Sequence, residues 1–251
     1  MAKEWYLMNH TTLGGYEEDD LSWQRQTFKT DIIDSSMGKN VLLYRGKIHE
    51  EPKSVRVVIQ DTTSDSQYCS DQRTVLAEIG TLTSGDYIKD EHGYWLVFGL
   101  VDNNTVYEKS VLQFCKYIIN IVLPDSTTVL RYPVPVENAT QYNSGERSTG
   151  YITVGASQRI LFLPYNDEII QIDNDYRILM DRNTKHPTAW KVSQVESEGY
   201  AYSEGAGLVR WMVVEEGLRE TDDIENMLAD NSTFNRIVKK GVDPNAEGWG
   251  L

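Results

Sequence analysis

The chain has 251 residues and a mass of 28.7 kDa, with 24 Lys and Arg against 38 Asp and Glu and a net charge of −14. Cutting after Gly145 leaves 20 acidic and 13 basic residues before the cut and 18 and 11 after it, so each half carries −7. That balance argues against an affinity for nucleic acid built on phosphate neutralisation, yet it suits DNA sliding past an acidic wall, because repulsion prevents sticking.

Hydrophobic residues make up 40 %, with 15 Tyr among them. This is lean against an average of about 45–50 % apolar. Two cysteines, Cys69 and Cys115, cannot build a disulfide framework, and each reads as a small buried hydrophobe in a reducing cytosol. The opening MAKEWYLMNH lacks the apolar stretch of a secretory leader. The longest apolar run, Tyr117 to Leu123 with Asn120 inside it, is too short to cross a bilayer. A soluble protein with no membrane partner is expected.

In chain order, the first residues mix Trp5, Tyr6, Leu7 and Met8 with an acidic stretch from Gly14 to Asp20. They suit either an arm that docks on a neighbour or an edge strand of their own module. Val55 to Ile59 is β-branched and strand-like. A polar loop over Thr62–Ser70 precedes an expected short helix over Asp71–Ile79. Tyr87-Ile88 and Trp95–Phe98 flank the turn-rich Lys89–Gly93, which is hairpin grammar. After a turn at Asp102–Asn104, Val111 to Val122 reads as one long strand. Pro124-Asp125 and Thr128–Tyr132 suggest another hairpin, with Pro133 and Pro135 confining it to an edge or an exit.

Asn138 to Gly150 is polar and is the best linker. Strand signals resume at Tyr151–Val154, Ile160–Leu163, Glu168–Ile170, Tyr176–Leu179, Trp190–Val195 and Leu208–Val214. Asp222 to Lys240 has acid at its start, base at its end and Gly241 after it, the chemistry of helix termini, with Asn231–Thr233 breaking it into two pieces.

The expected fold is mainly β: two small antiparallel β-barrel or sandwich-like modules with long loops and a short C-terminal helix. Residues 1–145 form the first module with an N-terminal arm, and 146–251 form the second with a helical tail. Both halves share an order: acidic-Tyr strand, loop, Trp-x-Val strand, loop, apolar strand. Either the modules are alike in build, by duplication, or antiparallel meanders simply look this way.

Catalytic templates are missing from the sequence. His10, His49, His92 and His186 have no ligand spacing to one another or to a Cys. Gly155–Arg159 begins a nucleophile elbow without its closing Gly. Gly205–Gly207 precedes a strand, which rejects a dinucleotide fingerprint, and Asp173–Asp175 lacks an EF-hand loop. No spacing among the carboxylates selects a glycosidase pair. No catalytic, cofactor-binding or metal-binding residue is nominated, no cofactor is expected, and an enzyme is not expected. The profile suits an assembly component that completes its apolar burial against copies or neighbours.

Gly80 to Ile121 (GTLTSGDYIKDEHGYWLVFGLVDNNTVYEKSVLQFCKYIINI) resembles structural proteins of tailed bacteriophages of Gram-positive bacteria. So do Asn138–Glu146, Ile152–Ile169, Asp181–Glu196 and the opening Trp5–Asn9. The resemblance runs to about Val214 and implies a head–tail connector, most like head-closure (stopper or adaptor) proteins. Such proteins form a ring, dodecameric by the resemblance, in the virion neck between portal or adaptor and tail proteins, after assembly in the host cytoplasm. Genomic DNA passes through non-specifically. Interface residues on this reading are Trp5, Tyr6, Leu7 and Tyr16, and gating-loop candidates are Asp65, Gln67, Tyr142 and Asn143. Rival readings are a tail-completion or baseplate ring and a carbohydrate-binding tail module using exposed Trp and Tyr.

Overall fold

The computed structural model describes residues 15–61, 71–124, 128–138, 158–181, 183, 185–203, 205–232 and 234. A helix, α1 (Gly15–Thr27), runs into a π-helical turn (Phe28–Ile33). Six strands follow: β1 (Lys39–Tyr44), β2 (Lys53–Asp61), β3 (Gln72–Ala77), β4 (Tyr87–Asp90), β5 (Gly93–Asn103) and β6 (Glu108–Phe114). They form a closed antiparallel barrel in the order β1-β2-β3-β6-β5-β4. Alternation along each strand sends one set of side chains inward, and Val41, Leu43, Val57, Val75, Ile88, Trp95, Val97 and Leu112 fill the barrel. The barrel closes where Leu42, Leu43 and Tyr44 pair with Lys89, Ile88 and Tyr87.

Only Cys115 and Lys116 separate this barrel from the second lobe. There β7 (Tyr117–Val122) and β8 (Val129–Val134) form a hairpin. The other strands are β9 (Val136–Asn138), β10 (Gln158–Pro164), β11 (Arg177–Met180), β12 (Thr188–Glu196), β13 (Ala201–Ser203) and β14 (Ala206–Glu216). They make a sheet in the order β11-β12-β14-β10-β9, with β13 added to β14. Pro135, which has no N–H, separates β8 from β9, so the segment pairs with β7 before it and with β10 after it. On the far side, β7 runs beside β11.

The circuit is therefore β7, β8/β9, β10, β14, β12, β11 and back to β7. This is the strand order of the first barrel over again. The equivalence reaches single hydrogen bonds. Trp95 faces Ile88 and Trp190 faces Ile178. Two residues past each Trp, Val97 N–H donates to Asp86 O (2.8 Å) and Val192 N–H donates to Tyr176 O (2.8 Å). Gly85 and Asp175 donate to the carbonyls of Val97 (3.0 Å) and Val192 (2.8 Å), and both have left-handed backbones, φ +88° and +72°. The two modules are alike in build as well as in outline.

The lobes share a core. β10 is buried on both faces along Ile160–Pro164. Phe162 meets Phe98 of the first barrel edge-on, with ring centroids 4.9 Å apart, and the Tyr87 hydroxyl donates to Pro133 O at 2.8 Å. Cys115 is buried at the joint, where burial pushes its thiol well up, while Cys69 lies outside the described residues.

Several expected elements differ. Asp71–Ile79 is not a helix: Gln72–Ala77 is β3, whose pairing with both β2 and β6 overrides local propensity. Val111–Val122 is two strands belonging to different lobes. Glu168–Ile170 is not a strand: it leads into a 3-10 turn at Ile169–Gln171. The stretch Gly14–Asp20, expected as an arm or edge strand, enters α1 at Gly15. The helix expected from Asp222 does not start there, because Asp223 and Leu228 exchange two backbone hydrogen bonds (2.9 and 2.8 Å) across a turn. The lobes meet at Cys115-Lys116 and not after 145, because β7, β8 and β9 build the second lobe. The expected strand Tyr151–Val154, the linker after Asn138 and the residues beyond Phe234 lie outside the described residues.

Candidate functional site

Two places concentrate polar chemistry. The first is the cleft between the lobes, where the segment after β10 crosses the β1–β2 and β3–β4 connections. Gly85 is required here: a Cβ on it would sit 2.5 Å from Gly207 O, and its φ is left-handed. The resulting cavity, about 430 Å³, is lined by Arg45, Ser84, Asp86, Tyr165, Asn166 and Asp167. Arg45 donates to Asp86 (2.5 Å), to Thr83 Oγ1 (2.7 Å) and to Thr81 O (2.8 Å). Asp86 also accepts from Thr83 N–H at 2.8 Å. Burial pushes the Asp86 carboxyl up to about 7, against the pull of Arg45 and of the Thr83 N–H.

The same cleft continues into an ion network. Lys47 Nζ lies 2.7 Å from Asp167 and 3.6 Å from Glu168, and His49 Nε2 lies 3.1 Å from Glu168. Glu168 also accepts a hydrogen bond from the Tyr132 hydroxyl, and Asn166 Nδ2 donates to Gly46 O (2.9 Å) and to the Tyr132 hydroxyl (3.1 Å). Lys47 holds Asp167 below the usual carboxylate range, while burial and then Glu168 push the Tyr132 hydroxyl up. These groups consume one another's hydrogen-bonding capacity across the lobe boundary. Their arrangement is a clamp, with no nucleophile, base and orienter in sequence. Among the described residues, no three His, Cys, Asp or Glu side chains gather as a metal site requires.

The second place is the seam between β7 and β11, with the strap of residues 217–231 laid over it. Among the described residues no ladder joins β7 to β11. The Tyr176 hydroxyl instead donates to Val122 O (3.0 Å) and accepts from Val122 N–H (2.9 Å). The Asn231 side chain brackets Arg177 in the same way: Arg177 N–H donates to its Oδ1 (2.7 Å) and its Nδ2 donates to Arg177 O (2.9 Å). The Arg177 guanidinium, 2 % exposed, donates to Glu216 (2.5 Å), to Gly217 O (3.0 Å) and to both oxygens of Asp222 (2.7 and 3.1 Å). The Asp222 side chain is fully buried and also accepts N–H bonds from Arg219 and Asp230, each 2.8 Å. Against the cost of burial, Arg177 and these N–H groups hold its carboxyl below the usual range. Asn120 Nδ2 ties the strap to β7 through Asn226 O at 2.7 Å, and Phe234 packs edge-on to Tyr176 at 5.2 Å.

Of the residues singled out from sequence, Tyr16 lies in the first turn of α1. Trp5, Tyr6, Leu7, Asp65, Gln67, Tyr142 and Asn143 lie outside the described residues. Their loops nonetheless have defined roots: 62–70 joins β2 to β3 and 139–157 joins β9 to β10. In both lobes that is the connection between the second and third strands of the circuit. Sequence reading missed Arg177, Asp222 and Asn231, which are far apart in the chain and carry no motif. A flat patch of exposed aromatics, which the sugar-binding reading needs, is not seen: among the described residues Trp23 is the one aromatic in the exposed class, at 65 %.

No curated protein and no solved structure matches the chain. Residues 19–114 match the family described as the YomX N-terminal domain. The match ends on the last residue of β6, so it spans the first barrel and most of α1 and leaves out the second lobe. The first barrel is therefore similar to a phage-associated domain family, that of the YomX N-terminal domain.

Proposed function

We propose that the protein is a virion structural component of the phage neck, forming a ring between portal and tail that closes the head and lets DNA pass. The observation that carries this is the match of the first barrel to a phage-associated domain family. The charge of −14, shared equally by the two halves, supports a bore along which duplex DNA slides without adhering. The N-terminal segment with Trp5, Tyr6 and Leu7 docks on a neighbour by adding a strand, with Tyr16 beside it at the start of α1. The loops with Asp65, Gln67, Tyr142 and Asn143 are the gate candidates. In this reading the chain is not an enzyme and needs no cofactor.

The test is fractionation of virions into heads with necks and free tails, followed by quantitative mass spectrometry and a map of the neck. Recovery with the heads, at the copy number of the portal, is the expected result. Recovery with free tails would transfer the protein to tail completion or the baseplate, and absence from particles would overturn the reading altogether.

A further inference from the structure

The first barrel shows what the topology provides at its closing edge: a ladder of three residue pairs between first and fourth strands. The second lobe has the same two strands side by side, with a tyrosine hydroxyl and an asparagine amide standing where backbone partners belong. Both substitutes satisfy an N–H and a C=O of a single residue, as a neighbouring strand does. The strap that brings in Asn231 is held by polar contacts, and it carries a strained residue, Met227, at φ +54°.

We propose that this seam is a strand-acceptor site, that residues 217–231 fill it in the isolated chain, and that its occupant in the assembly is the N-terminal segment of a second copy. The occupant follows from length and pattern. α1 begins at Gly15, and residues 1–14 ahead of it span about 46 Å when extended. Their apolar run Trp5–Met8 has the four-residue length of β11, Arg177–Met180. An exchange between copies is heterologous and closes into a ring when the rotation permits. The choice of a second copy as occupant rests on the neck-ring reading.

Loosening the strap in the full-length chain tests it. Asn231→Ala removes the bracket on Arg177, and a fluorescent peptide of residues 1–14 is the probe. The expected result is peptide binding at least tenfold tighter to Asn231→Ala than to wild type, with new amide protection in β7 and β11, and concentration-dependent oligomers of the variant by analytical ultracentrifugation. Glu216→Gln loosens the Arg177 anchor without touching the β11 backbone and takes the place of Asn231→Ala if that variant does not fold. Equal binding to variant and wild type, or protection elsewhere, overturns the acceptor site. A loosened chain that protects its own seam yet stays monomeric at all concentrations overturns the second copy as occupant. None of these readouts involves a virion, so failure here is distinct from failure of the neck assignment.

Discussion

In the first barrel, β1 and β4 meet backbone to backbone; in the second lobe, β7 and β11 meet through Tyr176, Asn231 and a strap anchored on Arg177. A ladder fixes register along several residues at once, and a one-residue slip would turn every inward side chain outward. Closure by side chains holds at two points and leaves the rest of the edge without that constraint. Strand order therefore does not by itself decide how firmly a barrel is sealed. The chain keeps one module shut by its backbone and the other by a polar fastening that a change of charge can undo.

Substitutions at equivalent positions break this comparison most sharply. Arg177 in β11 corresponds to Tyr87 in β4. Arg177→Ala strands Asp222 as a buried unpaired carboxylate, so urea unfolding should show a loss of about 3–5 kcal/mol. A loss under about 1 kcal/mol would show that the strap contributes little.

Next in size is a difference in pH response. The folded-state carboxyl of Asp86 stands near 7, above its unfolded value of 3.8. Its contribution to stability is thus complete below about pH 4 and is lost as pH rises towards 7, by a few kcal/mol on the order of its shift. Denaturation at pH 5 and pH 8 should show a smaller decline in Asp86→Asn than in wild type. Asp222 has the opposite sign: its folded value is lowered, so its contribution is present above about pH 4 and is lost as pH falls below that. Protection of the β11 amides, relative to their intrinsic exchange rates, should fall in acid before that of the β4 amides does.

Gly85 and Asp175 give a third contrast, because both occupy the same left-handed position. Gly85→Ala meets Gly207 O and a strained φ, at about 2–3 kcal/mol, whereas Asp175→Gly should shift stability by under about 1 kcal/mol. Thermal unfolding of the two variants side by side checks the asymmetry. Between these two falls Tyr87→Phe, which removes the hydrogen bond to Pro133 O between the lobes and costs about 1–2 kcal/mol.

Much of the β architecture was legible from local pattern. The strand at Trp190 has a period of two, and the hairpin around Glu91-His92 and the strand at Leu208 are short apolar runs with turn residues at their ends. The likeness between halves was legible too, though half by accident. Trp95 and Trp190 are structural equivalents, but the matching Asp-Tyr pairs are out of register by one residue, since Asp86 corresponds to Tyr176. What local pattern could not carry was partnership. Val111–Val122 is one apolar run, and nothing within it says that Cys115-Lys116 hands the chain from one barrel to another. Asp222 looks like the acidic start of a helix, yet its carboxylate is claimed by Arg177, forty-five residues away. A helix-forming tendency of a few tenths of a kcal/mol per residue yields to a buried ion pair of that kind.

The passage from β6 to β7 takes two residues, and Phe98 and Tyr87 reach across it into the second lobe. There is no slack to draw out between the halves. A load placed on one barrel reaches the other without first straightening a tether, and the distance between whatever grips the two ends is fixed by the barrels themselves. Such a part acts as a stiff spacer, where a jointed one would yield.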